Sequence, residues 1–417
     1  MMKQWDTSGC RWVLLSLLVL WESLVGLALA EGPSAVLLSL TQLEREAAEN
    51  NPEITAAKQR WEATQAVIPQ VRTLPDPRIN FGYKDMMERE EMYGFGQEIP
   101  FPGKLRLRGE VASRTAERAE QEYLAIRLRI IARLKETYYD LHLIHKSIEI
   151  VDKNKLLLQD FESTARARYG VGRATQQDVF RAQTEISRVL ARLATLEQRK
   201  ESLRADINRL LNRPPLDSLG TPPAIAVTPL HRDLPELTAI LDQSSPLLRA
   251  RRKEVERGDE AIALAKREYF PDFEINGFGF HNDTMNANGY QFMLGIKIPL
   301  YYTTKQREGV REAFANRESA AQELQAVKQD LQFRLQDNVA QAQRAERLVA
   351  ILQDAIIPQA TLTLESAQAG YAVGSVDFLT LLNSLLTLQE NELELHSEMV
   401  EHEKAIARLE EILGSTP

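Results

Sequence analysis

One uninterrupted helical stretch constrains this chain more than any other feature. From Leu105 to Tyr169 the sequence holds no proline and a single glycine, Gly109. At 1.5 Å per residue, about 65 helical residues extend roughly 95 Å, several times the width of a globular domain. The apolar residues along this stretch recur at a mean spacing close to the ~3.5 residues of left-handed coiled coils. The stretch therefore predicts a rod that packs lengthwise on other rods.

A glycine hairpin follows the rod. Gly172 suits the left-handed backbone position that ends a helix, and Thr175 with Asp178 three residues later resembles a capping box. An apolar seam with helical spacing resumes after the turn. Two helices joined by so short a turn lie antiparallel, so the sequence predicts a second helix that returns along the first.

A helix is expected over residues 34–68, ended by Pro69, and two short segments between it and the rod alternate as strands do. Residues 78–84 place Ile79, Phe81 and Tyr83 on one face, and a second alternating segment, 93–99, ends at Pro100. Each strand is about nine residues long, which is the length of a tilted outer-membrane strand. Taken alone, the pair could equally be an ordinary surface hairpin.

The second half of the chain repeats the first, with an offset near 200 residues, so the chain is interpreted as a tandem duplication. A third strand over 273–281 changes phase at Gly277, where we expect a bulge. A fourth strand over 290–298, a second rod over 304–369 and a returning helix follow. In the following matches the first segment belongs to the first half and recurs as the second segment: Asn51-Pro52 as Ser245-Pro246; Pro75-Asp76 as Pro271-Asp272; Ile79-Asn80 as Ile275-Asn276; Gly96 with Pro100 as Gly295 with Pro299; and Tyr169-Gly170-Val171-Gly172 as Tyr371-Ala372-Val373-Gly374.

The ends and the middle of the chain set its domain organisation. Residues 1–30 read as a secretory signal peptide with an Ala28-Leu29-Ala30 cleavage site, the alternative being a membrane anchor. Residues 31–212 form the first repeat, 213–235 a proline-rich connector lying on the helical body, and 236–417 the second repeat. Cys10 is the only cysteine and lies in the signal peptide, so the exported chain carries no disulfide.

Composition and motifs speak against several function classes. The net charge of −8 and the lack of a basic block make nucleic acid an unfavoured partner. His142 and His145 could share a metal ion, but a structural role in the rod is the favoured interpretation, as it is for His396 and His402. No catalytic or cofactor motif is recognised, so we expect neither an enzyme nor a bound cofactor.

Four strands predict an oligomer if they enter lipid. Edge N–H and C=O groups have no water to bond there, and closed barrels need at least about eight strands. Three copies would give twelve strands, although the sequence alone also allows two or four copies.

With these residues in view, the chain resembles the TolC-like outer-membrane efflux channels over essentially its whole mature length. The resemblance rests on the duplicated unit, on residues 97–105 (QEIPFPGKL), and on the two hairpins, 169–178 and 371–380. It implies a fold that is mainly α with a small transmembrane β part. Each protomer of a homotrimer would add four strands to a twelve-stranded β-barrel in the outer membrane, above a long α-helical barrel that crosses the periplasm.

The resemblance also implies a function and its residues. Such a channel conducts substrate passively, and it works with a periplasmic adaptor and an inner-membrane pump of the resistance-nodulation-division type. The implied adaptor-docking tips are Val171, Gly172, Val373 and Gly374. The implied residues for tip hydrogen bonds and the gate are Asp178, Tyr371, Asp377, Thr380 and Asn383.

Two points of the resemblance stay open. Some family members constrict the tip with carboxylates at the positions of Thr380 and Asn383, and Asp377 is the nearest acid here that could replace them. Residues 97–105 look most like the branch that exports cobalt, zinc, cadmium or copper, although the same run occurs in channels for other small toxic compounds. The rival interpretation is a periplasmic coiled-coil scaffold or adaptor without a membrane barrel.

Overall fold

The structure, a computed structural model, describes residues 38–85, 89–283 and 285–416, so the predicted signal peptide lies outside the described residues. The elements occur in the same order in both halves. The first half holds α1 (Leu40–Asn50), α2 (Pro52–Arg72), β1 (Arg78–Asp85), β2 (Arg89–Ile99), α3 (Lys104–Gly170) and α4 (Gln176–Leu210). The second holds α5 (Leu234–Ser244), α6 (Pro246–Arg267), β3 (Asp272–Asn282), β4 (Ala287–Lys297), α7 (Gln306–Ile351), α8 (Ile357–Val373) and α9 (Phe378–Leu413).

Helix α3 is the predicted rod, with 67 residues, and the other helices are arranged along it. The returning helix α4 packs on α3, as does α2, which leads into the strands; α6 and α9 of the second repeat also pack on it. Helix α7 packs on α6 and α9. The helices therefore form one elongated body. The long helix α3 is flanked by α2 and α4 of its own repeat and by α6 and α9 of the other, and α7 is flanked by α6 and α9.

Three apolar clusters hold this body together. One lies near the two glycine hairpins and joins α3, α4, α8 and α9 around Leu158, Leu381 and Leu385. A second joins α5, α7 and α9, and a third joins α1, α3 and α4. Burial is thus spread along the rods instead of concentrated in one centre, as the coiled-coil spacing predicts.

The four strands form one antiparallel sheet in the order β1-β2-β3-β4. Its apolar face is open: Phe81 on β1 and Phe292 on β4 are 77% and 78% exposed. Within the described chain β1 pairs only with β2, and β4 only with β3. The sheet therefore presents two free edges and one broad apolar surface.

The predicted bulge at Gly277 is wrong, because β3 keeps a continuous register with both of its neighbours. The sequence changes phase there because Phe278 and Phe280 point to the polar face of the sheet. Each ring lies over a glycine of the next strand, and a Cβ on Gly94 would come within 2.6 Å of Phe278 Cδ1. The neighbouring glycines make room for the aromatic rings on the polar face. The alternation of apolar and polar residues along β3 therefore changes at Gly277 without the extra residue of a bulge.

Two helix predictions also need correction. The single helix expected before Pro69 is split at Asn51, whose Oδ1 caps α2 by accepting from Glu53 N at 2.9 Å, and α2 continues through Pro69 to Arg72. The second rod is interrupted by one π turn, Leu352–Ile356, which ends two residues before Pro358. Since proline lacks the N–H and crowds the carbonyl four residues earlier, the helix widens there.

The predicted connector, residues 213–235, contacts helix α9 through Thr228. Its Thr228 donates through N and Oγ1 to the two carboxylate oxygens of Glu403, at 2.6 and 2.9 Å. Glu403 is 4% exposed on α9, and His402 Nδ1 lies 3.2 Å from its Oε1. These hydrogen bonds lower the pKa of Glu403 against the desolvation that would raise it.

Candidate functional site

The first hairpin tip is a tight turn with a capped return. Helix α3 ends at Gly170, and Gly172 takes a φ of 76°, which L side chains rarely adopt. Thr175 and Asp178 form the predicted capping box: Asp178 N donates to Thr175 Oγ1 at 3.3 Å, and Thr175 N donates to Asp178 Oδ2 at 3.2 Å. The Asp178 carboxylate therefore fixes the start of α4.

The second tip has the same outline with a different cap. Gly374 takes a φ of 88°, and Ser375 N donates to Gly370 O at 2.9 Å. Asp377 caps α9 by accepting from Thr380 N at 2.9 Å, and hydrogen bonding to the side chain and backbone of Thr380 lowers the pKa of Asp377. The structure thus joins two of the predicted gate residues, Asp377 and Thr380, in a helix cap.

An arginine that sequence analysis missed connects the two tips. The Arg168 guanidinium on α3 donates to the Tyr371 carbonyl O on α8, and its Cζ lies 4.6 Å from the centroid of the Tyr371 ring. Its Nη2 also passes close to Gly374, where an added Cβ would lie 3.1 Å away. A hydrogen bond and a cation–π contact in one place make Arg168 a clasp between the hairpins.

A signal for this clasp is present in the sequence. Leu158, Phe161 and Ala165 are buried on one face of α3, and the same spacing of three and four brings Arg168 to that face. A long charged residue at the end of a buried stripe is a candidate for a contact with the next element.

Tyr371 is the most buried of the predicted site residues, at 4% exposure. Its ring packs edge-on against Phe378 with centroids 5.7 Å apart. Its hydroxyl has no hydrogen-bond partner within the described chain, and the Asp178 carboxylate accepts from Thr175 N in the cap of α4. Burial and the nearby charge of Asp178 raise the pKa of Tyr371.

The remaining predicted site residues are exposed. Val171 and Val373 stand at the ends of the two turns, 70% and 82% exposed. Thr380 and Asn383 lie one helical turn apart on the exposed side of α9. Asn383 also lines a groove of about 720 Å³ between α4 and α9, together with Phe180 and Arg181. The tips therefore combine apolar ends with a polar, uncharged stretch of α9.

The histidines lie away from the tips. His142 is 2% exposed on α3, and burial lowers its pKa, with His396 of α9 contributing the next largest effect. His145 has its pKa lowered by burial and by Lys200. Within residues 38–85, 89–283 and 285–416, no group of three or more His, Cys, Asp or Glu side chains is arranged to hold a metal ion.

Comparisons with known proteins extend over nearly the whole chain. The model of the family described as outer membrane efflux protein matches residues 43–213 and 238–415. The chain is 23% identical over 379 residues to the cobalt-zinc-cadmium resistance protein CzcC of Cupriavidus metallidurans, covering 88% of each chain. It is also 23% identical over 406 residues to the outer membrane protein TolC of Vibrio cholerae, covering 90% of this chain and 91% of TolC.

Solved structures share the fold. The structure of CusC superposes with a TM-score of 0.81 at 16% identity, covering 90% of this chain and 92% of CusC. The predicted fold class, mainly α with a small β part on a duplicated unit, is confirmed. Among the described residues, none of the helices has the length and apolarity needed to traverse a bilayer.

Proposed function

The chain belongs to the outer membrane efflux protein family, and from this premise we propose that it exports metal cations through a trimeric conduit gated at the paired hairpin tips. As a family member it is an outer-membrane channel of a tripartite efflux system that reaches into the periplasm. The rival interpretation as a periplasmic scaffold loses its support, because the match covers both repeats.

The free sheet edges and the exposed apolar face carry the proposal of a closed ring. A bilayer offers no hydrogen bonds to the open edges of β1 and β4, so further copies must pair with them. Three copies of a four-stranded sheet give twelve strands. The apolar face, with Phe81 and Phe292, then faces the bilayer and the polar face lines the lumen.

Metal cations are the cargo that the CzcC relative favours, although the polar face carries Arg78, Lys84 and Lys297 as well as carboxylates. Glu98 and Glu274 are cross-strand partners there, and α9 exposes Glu390 and Glu394. Carboxylates along a pore wall attract cations and repel anions. The name of the CzcC relative points the same way. Small toxic compounds are the second candidate, because the TolC relative is equally similar.

The exposed tips are proposed to dock a periplasmic adaptor that is itself fed by an inner-membrane pump of the resistance-nodulation-division type. Val171, Gly172, Val373 and Gly374 form compact apolar ends that a helical partner can cover. The Arg168 clasp on Tyr371 holds the two tips together in the closed form. Adaptor binding shifts this equilibrium towards an open form, and solute then passes without a reactive group.

The cargo proposal is tested by deleting the gene and restoring it. We expect the deletion strain to lose growth in cobalt, zinc or cadmium salts and to retain more of the metal, because the exit from the periplasm is missing. The measurements are minimal inhibitory concentrations and cell-associated metal. Unchanged metal tolerance together with greater sensitivity to organic toxins would assign the channel to the second candidate.

The gate is tested by tethering the tips. Val171→Cys and Val373→Cys, joined by a short thiol cross-linker, should abolish export while leaving the oligomer intact, because the tips can no longer separate. Each single variant treated with the cross-linker is the control. Full export in cells whose tips are demonstrably cross-linked would rule out gating at the hairpins.

A further inference from the structure

A buried lysine joins the two repeats where the sheet meets the helices. Lys104 is 1% exposed at the start of α3, and its Nζ donates to Asp272 Oδ1 at 2.8 Å and to Phe270 O at 3.1 Å. The backbone N–H of Phe101 donates to the same Asp272 oxygen at 2.8 Å. The rings of Phe101 and Phe270 stack with centroids 4.7 Å apart. We call these four residues the strand–helix joint.

The duplication supplies a second set of these residues. Buried positions of α3 recur in α7 at a constant offset of 201, from 130 to 331 and from 141 to 342, and the same offset relates Lys104 to Lys305. The repeated Pro-Asp pair relates Asp272 to Asp76 and places Leu74 at the position of Phe270. The repeated Ile-Pro step relates Phe101 to Leu300.

This second set is not assembled within one chain. Lys305 and Asp76 are both exposed, and neither has an ion-pair partner among the described residues. Leu300 and Leu74 are 74% and 46% exposed. Asp76 precedes β1 and Leu300 follows β4, so the two halves lie at opposite edges of the sheet. Three strand spacings, about 14 Å, separate these edges, and one chain therefore cannot bring them together.

We propose that a second copy of this chain completes the joint: Asp76 of one copy pairs with Lys305 of the next, and Leu74 packs on Leu300 beside them. The inference rests on the proposed closed ring and names the contact that closes it. A cavity of about 490 Å³ lies between Lys305 and the assembled joint, and it is lined by Leu300 and Lys305 on one side and by Lys104 and Asp272 on the other. Every boundary between successive repeats around the ring then carries a lysine–aspartate pair. The pair is Lys104 with Asp272 inside a copy, and Lys305 with Asp76 between copies.

The same symmetry fixes the strand register between copies. Within the chain, Gln97 of β2 pairs with Ile275 of β3. In the other repeat, Gln97 corresponds to Ile296 of β4 and Ile275 corresponds to Ile79 of β1. Ile296 of one copy should therefore pair with Ile79 of the next, so that β4 pairs with the β1 of that copy. The further pairs that follow are Leu294 with Phe81, Phe292 with Tyr83, and Gly295 with Asn80.

Two features support this register independently. It sets exposed apolar side chains opposite one another on one face, from Ile296 and Ile79 onward. It also sets Gly295 against Asn80, as Gly96 is set against Asn276, whose Oδ1 would lie 2.5 Å from a Cβ on that glycine. A slip of one residue would turn one strand's apolar set to the lumen.

Cysteine pairs test the register in isolated outer membranes. In a Cys10→Ser background, Ile79→Cys with Ile296→Cys should oxidise to covalent dimers and to a largest product of three chains. The matched control moves one cysteine by a single step on the same face, Phe81→Cys with Ile296→Cys. We expect about tenfold less product from it, because the register of a half-buried strand is strongly specified.

Charge reversal tests the joint itself. Asp76→Lys and Lys305→Asp should each lower the temperature at which the oligomer dissociates in detergent by several degrees, and the double variant should recover most of the loss. Glu62→Lys is the control, because Glu62 is exposed and lies 3.8 Å from Lys58 on the same helix, away from the joint.

The outcomes separate this inference from the proposed function. A conducting oligomer whose cysteines link only in the shifted register, or whose double charge reversal recovers nothing, would overturn the joint and leave the channel intact. An unmodified chain that forms neither an oligomer nor a conductance in planar bilayers would overturn both.

Discussion

The two ends of the duplicated unit differ in how faithfully they repeat. At the strand–helix end, both repeats keep the lysine and the aspartate of the joint, as Lys104 with Asp272 and Lys305 with Asp76. At the tips, the tyrosine is kept as Tyr169 and Tyr371, 47% and 4% exposed, but only the first repeat has an arginine beside it. At the strand–helix end, the contacts within a copy and between copies can thus be equivalent around the ring. At the tips, the contact made by Arg168 has no equivalent in the second repeat.

The reason lies in the space at Gly370, which occupies the place of Arg168 in the second repeat. A Cβ on Gly370 would lie 2.5 Å from Val376 Cγ2, so a side chain there would require Val376 to move. Within one chain the first hairpin clasps the second through Arg168, and the second repeat has no side chain at the equivalent position to make a matching clasp. We expect the tips to separate first at the boundary between copies.

The largest effect should come from removing the buried tyrosine. Tyr371→Ala leaves a cavity beside Phe378 and should cost about 3 kcal/mol of local stability. Tyr169→Ala removes the exposed counterpart and should cost no more than about 0.5 kcal/mol. Hydrogen exchange of the amides at the ends of α8 and α9 measures both. Equal effects would mean that the assembled ring buries Tyr169 as well.

Removing the clasp should have the next largest effect. Arg168→Ala loses a charged hydrogen bond and a cation–π contact, together about 2 kcal/mol, which shifts an opening equilibrium about 30-fold. Arg166→Ala removes the same charge from a pair with Glu162 on the same helix and should cost less than about 0.5 kcal/mol. Single-channel open probability in planar bilayers compares the two. An open probability that rises equally in both variants would attribute the change to net charge.

The smallest effect is expected from Tyr371→Phe. Because the hydroxyl has no partner within the described chain, its removal should change tip stability by less than about 0.5 kcal/mol. A loss of about 1 kcal/mol in the assembled protein, measured by the same exchange experiment, would instead support the predicted hydrogen bond with Asp178.

Periodic features were predictable from the sequence, and contacts between distant segments were not. The rod α3, its capped hairpin and the strand faces follow from spacing and from glycine, proline and capping residues. The alternation of apolar residues wrongly predicted a bulge at Gly277, because Phe278 and Phe280 pack over glycines on neighbouring strands. Pro69 does not end α2, because a helix tolerates a proline in its last turns when tertiary packing supports it.

The hairpin tips were predictable from their glycines, whereas Arg168, which joins the two tips, was not. Arg168 acts through the carbonyl and ring of Tyr371, more than 200 positions away in sequence. The buried stripe of α3 places Arg168 on the packed face, but nothing local specifies Tyr371 as its partner. The assignment of Asp377 as a gate acid likewise came from sequence proximity, and the structure places its carboxylate in the cap of α9.

The π turn at Leu352–Ile356 has an evolutionary consequence. Before it, buried positions of the two rods correspond at an offset of 201, as from Ile130 to Leu331; beyond it the offset is 202, as from Ala165 to Ala367. One wide turn thus absorbs a single-residue insertion and returns the later heptads to their original phase. A long rod can therefore gain one residue in its middle while the residues that pack at its two ends keep their faces.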